Sequence, residues 1–381
     1  MNVKKNYFIL CLIYFLIFFA NALFLSFFQI FLMSKGFKES EIGVISSITP
    51  LLCIIANPLY SLIGKNNKRI RFLLLALSVL EALVILLVYQ TNQYSMLILV
   101  MCLVAIVDPP LFVIMDSYAS SFIKEHNKNY SYIRITGTLA YAIGAFVCGL
   151  FIEYIGYDVV FISASILMFL SVILILLLNP IKDKEDREKK DVKELVTNKE
   201  FIIFTVYFIF ILAFAQLGDT YISIYLTNEL EVSEFNFGII NSLWVIIELL
   251  VVLILNKFKI KNEYILLILM GICYLSRITV IGLEGGKEIA ILSALLRGVG
   301  MGINIYLYVP ILIKIVKESN ISIALLMIAM FKSLLATLFI SISGFMIESI
   351  GYSFIFIIWS IIFVVVIIGY SLFSRKYLKL N

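Results

Sequence analysis

Nine ionisable residues interrupt stretches of this 381-residue sequence that are otherwise apolar. The acids are Glu81, Asp108, Asp116, Asp219 and Glu248; the bases are Arg134, Arg277, Arg297 and Lys332. Away from water such groups can do two kinds of chemistry. A guanidinium offers a planar fork of donors to carboxylates or paired hydroxyls, and a carboxylate accepts the hydroxyl protons of a polar solute. A carboxyl with no counter-charge tends instead to hold a proton and can release it when its surroundings change. Five acids against four bases leave one carboxylate over, which is what proton coupling needs. Catalytic equipment is sparse. His126 is the only histidine and falls in a loop, and no His, Cys or Asp spacing suits a metal. The five cysteines, Cys11, Cys53, Cys102, Cys148 and Cys273, lie inside apolar runs and read as small buried residues. The sequence therefore argues against an enzyme and implies no cofactor.

The elements that position these charges must live in lipid. Hydrophobic residues make up 62% of the chain and charged residues 14%, with a mean hydropathy of +1.06. Apolar segments fall near 7–33, 41–64, 72–89, 95–118, 132–153, 159–179, 201–227, 237–256, 263–283, 289–313, 321–345 and 353–374. Each is about the 20 residues a bilayer span requires, and with every backbone polar group needing an internal partner each is expected to be a helix. Lys4 and Lys5 could open a signal peptide, with Ala20-Asn21-Ala22 as its cleavage site. The apolar run to Met33 is too long for that, so it reads as a retained first span. With the N-terminus inside, the inner loops and ends carry 23 Lys and Arg, from Lys4 and Lys5 through Lys65, Lys128 and Lys261 to Lys379. The outer loops carry 3: Lys35, Lys38 and Lys287. This asymmetry places both termini in the cytoplasm and the protein in the cell membrane. The net charge of +5 is spread along the chain and gives no nucleic-acid surface.

A charged segment, IKDKEDREKKDVKELVTNKE (181–200), reads as a partly helical cytoplasmic linker between domains 1–180 and 201–381. The two halves repeat. GFKESEIGVISS (36–47) resembles EVSEFNFGIINS (231–242), and GLFIEYIGYDVVFI (149–162) resembles GFMIESIGYSFIFI (344–357), both at an offset of 195. A constant offset at two distant places means a parallel duplication of six helices. The expected fold is thus an all-α membrane protein of twelve transmembrane helices in two pseudo-symmetric six-helix bundles. The charges do not repeat. At the same offset Asp219 meets Phe24, Glu248 meets Cys53, Arg277 meets Ala82, Arg297 meets Cys102 and Lys332 meets Gly137. A charge costs about 2.5–3.5 kcal/mol at the centre of a span, so retaining it in one half alone suggests a shared polar cavity. Simple ion pairing between helices is the alternative. Glu81 is the weakest cavity candidate, and Asp108 precedes Pro109-Pro110, where it could serve only as an acceptor beside a helix break.

The plan resembles the major facilitator superfamily, and the C-terminal half is similar to its oligosaccharide–proton symporter group. VIIELLVVLILNKF (245–258) places Glu248 like that group's sugar-binding glutamate, and LSRI (275–278) places Arg277 like its ninth-span arginine. MFKSLLATLFISISGFMIESIGYSFIF (330–356) puts Lys332 at the group's lysine, LLRGVGM (295–301) puts Arg297 at a tenth-span lysine, and GDTYISIYL (218–226) puts Asp219 at a seventh-span aspartate. Asp116 and Arg134 match a fourth-span carboxylate and fifth-span arginine, and Tyr141 falls where an aromatic stacks on the sugar ring. There are departures. SLIGKNNKRIR (61–71) lacks the superfamily's loop aspartate, the group's histidine position reads Gly300, and its coupling glutamate falls near Ile303 or Asn304. If coupling persists, Glu248, Asp219 or Asp116 must carry the proton.

The resemblance implies a monomeric, proton-coupled carrier that takes up a sugar or similar small polar solute by alternating access. Asp116, Arg134, Tyr141, Glu248 and Arg277 would bind the solute, and Asp219, Arg297, Lys332 and Glu248 would form the coupling and ion-pair set, with an Asp219–Lys332 bridge expected. Trp244, four residues before Glu248 on the same helical face, either stacks on the solute or packs. Asn21, Gln29, Asn57, Gln216, Asn241 and Asn304 either line the path or join helices. A nucleoside or aromatic-acid carrier, a drug exporter and a non-transporting membrane sensor remain alternatives.

Overall fold

The computed structural model describes residues 3–63, 67–126, 130–178, 192–260, 262–317 and 320–377. Residues 181–191 of the charged linker, with Lys65, Lys128, Lys261 and Lys379, lie outside them. Among the described residues twelve helices are long and apolar enough to cross a bilayer, as the sequence predicts. The first span is α1 (Val3–Leu25) followed by α2 (Phe28–Ser34), interrupted at Ser26 and Phe27. Then come α3 (Glu39–Ile63), α4 (Asn67–Gln90), α5 (Tyr94–His126), α6 (Tyr130–Tyr154) and α7 (Tyr157–Leu176). After the short α8 (Val192–Thr197), α9 (Lys199–Ile224) continues into a π-helical turn, Tyr225–Glu229. The last five spans are α10 (Glu234–Phe258), α11 (Glu263–Gly282), α12 (Lys287–Ile315), α13 (Ile321–Ile350) and α14 (Tyr352–Tyr377). His126, expected in a loop, instead closes the last turn of α5, because that helix continues past its apolar stretch.

Helix ends follow local chemistry. Asn198 and Asn262 cap α9 and α11, their side-chain oxygens accepting from the backbone N–H of Phe201 and Ile265. Arg71 donates to the carbonyls of Ile175 and Leu176 at the end of α7, and Lys35 to those of Tyr89 and Thr91 at the end of α4. Cations are favoured there because the final carbonyls lack helical partners.

By packing, the chain divides into two units: Met1–Phe37 with Ile48–Glu185 and Ser233–Val245, and Lys38–Ser47 with Asp186–Val232 and Ile246–Asn381. In the first unit α1 packs on α6 and α7, and α4 on α5 and α7. In the second, α9 packs on α13 and α14, and α11 on α12 and α14. These are the same four pairings carried over by the repeat.

The repeated motifs meet crosswise within these units. In the first, Gly149 of α6 lies against Gly238 of α10, and a methyl group on Gly149 would fall 2.6 Å from the Glu234 carbonyl oxygen. In the second, Gly344 of α13 lies against Gly43 of α3, and its methyl would fall 2.6 Å from the Glu39 carbonyl oxygen. One turn on, the repeated glutamates take equivalent partners. Glu153 accepts from the Phe235 backbone N–H at 3.2 Å, and Glu348 accepts from the Ser40 hydroxyl and from Lys38 at 2.9 Å. Gly156 and Gly351 then turn the chain into the next helix at φ of 116° and 83°, which a side chain would resist.

Candidate functional sites

Two charged clusters occupy the spans, one in each unit. In the second unit the centre is Asp219 on α9. Arg277 of α11 donates through Nη1 to Asp219 Oδ1 at 2.6 Å. Arg297 of α12 donates through Nε to Oδ1 at 2.8 Å and through Nη2 to Oδ2 at 3.2 Å. Glu248 of α10 stands 4.0 Å from Arg297 Nη1, a looser pair. Gly218, beside Asp219, leaves room for the Arg277 guanidinium, which a methyl there would touch at 3.4 Å. The Arg277 side chain is 1% exposed, that of Arg297 20%, Glu248 15% and Asp219 37%. Two acids and two bases balance, so four helices meet at a site of nearly zero net charge. Opposed, hydrogen-bonded charges make this arrangement tolerable where isolated ones are not.

In the first unit the centre is Asp116 on α5. The hydroxyls of Tyr14 (α1) and Tyr130 (α6) donate to Asp116 Oδ1 at 2.6 and 2.7 Å. Arg134 of α6 approaches Oδ2 at 3.7 Å, with its guanidinium carbon 5.2 Å from the centre of the Phe18 ring. Both charged side chains are well exposed, 49% for Arg134 and 41% for Asp116. Burial pushes the Tyr130 hydroxyl up to about 12, with the negative Asp116 beside it adding to the rise, so this phenol stays a hydrogen-bond donor throughout the neutral range.

The structure thus joins Asp116 to Arg134 and gathers Asp219, Arg277, Arg297 and Glu248. Asp219 takes two arginines where the sequence reading expected Lys332. Arginine forks suit one carboxylate from two sides, which a single ammonium cannot do. Lys332 is half-buried on α13. Trp244 is buried edge-on to Phe237, which in turn packs edge-on to Phe27. Tyr141 accepts from the Ser26 hydroxyl at 3.5 Å, beside the interruption between α1 and α2. Of the span amides, Asn21 and Asn241 join helices. Asn21 donates to Asp108 at 2.8 Å, and Asn241 to the Ser26 carbonyl at 3.5 Å.

Sequence reasoning missed Tyr14, Phe18 and Tyr130. A tyrosine in an apolar run reads as packing. The available signal was Tyr14 and Phe18 four residues apart, a spacing that puts both on one face of α1.

The family model described as Major Facilitator Superfamily matches residues 10–311. This chain belongs to that superfamily. With its twelve apolar helices it is accordingly a multi-pass membrane protein of that superfamily. Two curated relatives match in part. One is a maltose permease of Geobacillus stearothermophilus, 26% identical over 198 residues, 51% of this chain and 50% of that protein. The other is the uncharacterized transporter YwbF of Bacillus subtilis (strain 168), 24% identical over 190 residues, 49% and 47% of the two lengths. The chain spans about half the length of each of these relatives. Among solved structures, a mutant of the nucleoside transporter NupG superimposes with a TM-score of 0.80 at 17% identity, covering 97% of this chain and 99% of that one. A bacterial homologue of the human lysosomal transporter Spinster, inward-facing and unoccupied, gives 0.72 at 14% identity, covering 99% and 98%. These structural likenesses establish the major facilitator fold.

Proposed function

We propose that this superfamily member takes up a sugar or oligosaccharide by alternating access, coupled to protons. The observation that carries the reading is the four-helix cluster of Asp219, Arg277, Arg297 and Glu248. Sugars present paired hydroxyls, and a site for them needs fixed forked donors and carboxylate acceptors in one place. Arg277, sealed behind Asp219, holds that carboxylate in place, and Arg297, also held by Asp219 and partly exposed, supplies the forked donor to the solute, with Arg277 reached only when the site opens. Arg297 and Glu248, 4.0 Å apart, present a donor and an acceptor side by side to one solute hydroxyl. Asp116, Arg134 and Tyr141 form a second set of solute contacts, with Phe18, beneath the Arg134 guanidinium, offering an apolar ring face. The partial similarity to a maltose permease supports the sugar class.

The remaining assignments follow the same reading. Residues 1–180 and 201–381 form the two six-helix domains, joined by a charged linker at 181–200. Both termini face the cytoplasm, the protein resides in the cell membrane, and it works as a monomer. Lys332 and Trp244 belong to the ion-pair and solute-facing sets.

The test is uptake into proteoliposomes of labelled maltose, lactose and uridine, each with and without an inward proton gradient. Gradient-driven accumulation of a sugar, abolished by a protonophore, is expected. Accumulation of uridine alone would reassign the solute to nucleosides. Binding without transport would make the protein a sensor, and no gradient-dependent accumulation of any solute would end the symport reading.

A further inference from the structure

In the second unit α9 packs beside α14, and a groove of about 290 Å³ runs between them. One wall is α9, from Ile202 through Val206 to Phe210; the other is Val366 and Gly369 of α14. Tyr207 and Tyr370 close the floor, their rings nearly parallel and 3.7 Å apart. Tyr207 donates its hydroxyl to the Leu267 carbonyl of α11 at 2.8 Å, which leaves its ring to the groove. Ile202 and Val206 are exposed on the rim. Both helices are membrane spans, and an exposed apolar face of a span meets lipid.

Gly369 opens this space. Glycine inside a helix is destabilising relative to alanine and is typically used in spans where another backbone comes close. Gly282 of α11 does that: a methyl there would fall 2.8 Å from the Ile357 backbone nitrogen of α14. Gly369 does not. A methyl on it would meet nothing within 4 Å, which holds for no other glycine inside the described spans. No described protein atom uses the room that this glycine leaves.

We propose that the groove seats one acyl chain of a phospholipid, whose phosphate is met by Lys199 at the groove's mouth.

Shape and chemistry select the chain. The stripe from Ile202 to Phe210 advances eight residues along the axis of α9, about 12 Å at 1.5 Å per residue. Its direction is that of acyl chains in a leaflet, and its walls are hydrocarbon, which gives a polar solute nothing to bond. Charge selects the headgroup. Lys199 is the first residue of α9, exposed, and one turn before Ile203 on the same helical face. Among the described residues no carboxylate is ion-paired with it. Its neighbour Glu200 shares the face of buried Phe204 instead. A lipid lying along α9 therefore meets a cation where its phosphate falls and hydrocarbon where its chain falls. The seated chain ties α9, the helix that carries Asp219, to α14.

The experiment is native mass spectrometry of the full-length protein in detergent. The probes are phosphatidylethanolamine, phosphatidylglycerol and diacylglycerol with the same two chains. The wild type should retain one molecule of either phospholipid. Gly369→Leu fills the groove from α14, and excluding only two methylenes of the chain should weaken both phospholipids about tenfold. Val206→Phe plugs it from the opposite wall and should do the same, so the outcome stands even if one variant fails to fold. Lys199→Gln should weaken the phospholipids about threefold and leave diacylglycerol unchanged. Val365→Leu, on the exposed surface of α14 outside the groove, should bind as wild type does. Retention by Gly369→Leu or Val206→Phe equal to wild type overturns the proposal, as does a wild type that retains no lipid. A wild-type dimer that Gly369→Leu dissociates would give the groove to a second copy and overturn it too. Diacylglycerol held as tightly as the phospholipids would overturn the role of Lys199.

Discussion

The clusters around Asp116 and Asp219 solve one problem in opposite ways. Asp219 has two guanidiniums, one of them sealed from solvent. Asp116 has two phenols, and its arginine stands back at 3.7 Å. The scaffold beneath is duplicated down to the helix pairings and the glycine contacts. The contrast teaches that packing and charge evolve on different residues of one fold. A site braced by buried ion pairs is stiff, because moving either partner exposes an uncompensated charge. A site braced by neutral phenols gives way more easily, since a phenol can leave a carboxylate without stranding a charge of its own.

The largest effect should come from breaking the stiff site. Asp219→Asn strands Arg277, and removing one partner of a buried pair costs about 3–5 kcal/mol. The 37% exposure of the Asp219 side chain puts the loss at or below about 3 kcal/mol. Thermal unfolding in detergent measures it. Adding Arg277→Gln should recover much of that loss, whereas adding Lys332→Gln should recover less. Equal recovery by both would mean that Asp219 does not depend on its arginines. The matching change at the other cluster, Asp116→Asn, should cost under about 1 kcal/mol, because both charges there are well exposed.

Next in size are changes where the two units should behave alike. Gly149→Ala and Gly344→Ala each drive a methyl to 2.6 Å from a backbone carbonyl. Overpacking of this kind costs typically about 1–3 kcal/mol, and the two losses should agree within about 0.5 kcal/mol if the repeat governs packing. A large difference would show that the contacts, though equivalent in sequence, are held unequally.

Legibility in the sequence followed the same division. Lipid imposes helices on any apolar run of sufficient length, so the spans could be counted directly. The duplication was readable because Gly149, Glu153 and Gly156 recur as Gly344, Glu348 and Gly351. The cross-contacts that give the repeats their purpose were hidden, since no single motif names its partner. The charges themselves were legible because lipid makes each one costly. Their pairing was not. Whether Asp219 meets Lys332 or Arg277 depends on helix rotation, which hydropathy does not encode. Tyr14 and Tyr130 escaped for a related reason. A phenol is apolar enough to sit unnoticed in a span, and only its neighbours reveal whether its hydroxyl has work. Glu81, the weakest candidate in sequence, proved the most completely buried acid among the described residues, because exclusion from a cavity and exclusion from water look the same in one dimension.

The smallest effects probe the adaptable site. Tyr14→Phe and Tyr130→Phe each remove one donor from Asp116 while keeping the ring. A hydrogen bond to a charged group is worth about 1.5–3 kcal/mol when buried, and the exposure of Asp116 reduces this to roughly 1 kcal/mol. Alkaline titration adds a finer mark for Tyr130. Its hydroxyl ionises at 10.0 in the unfolded chain and at about 12 in the folded one. The folded state therefore holds this proton more tightly. The associated stabilisation is complete below pH 10, falls as the pH rises, and is gone above about 12. Tyr130→Phe cannot show this loss, so its unfolding temperature should decline less steeply than that of wild type between pH 10 and 12. Parallel curves would mean that Tyr130 already ionises as it would in water, and that Asp116 depends on Tyr14 and Arg134 alone.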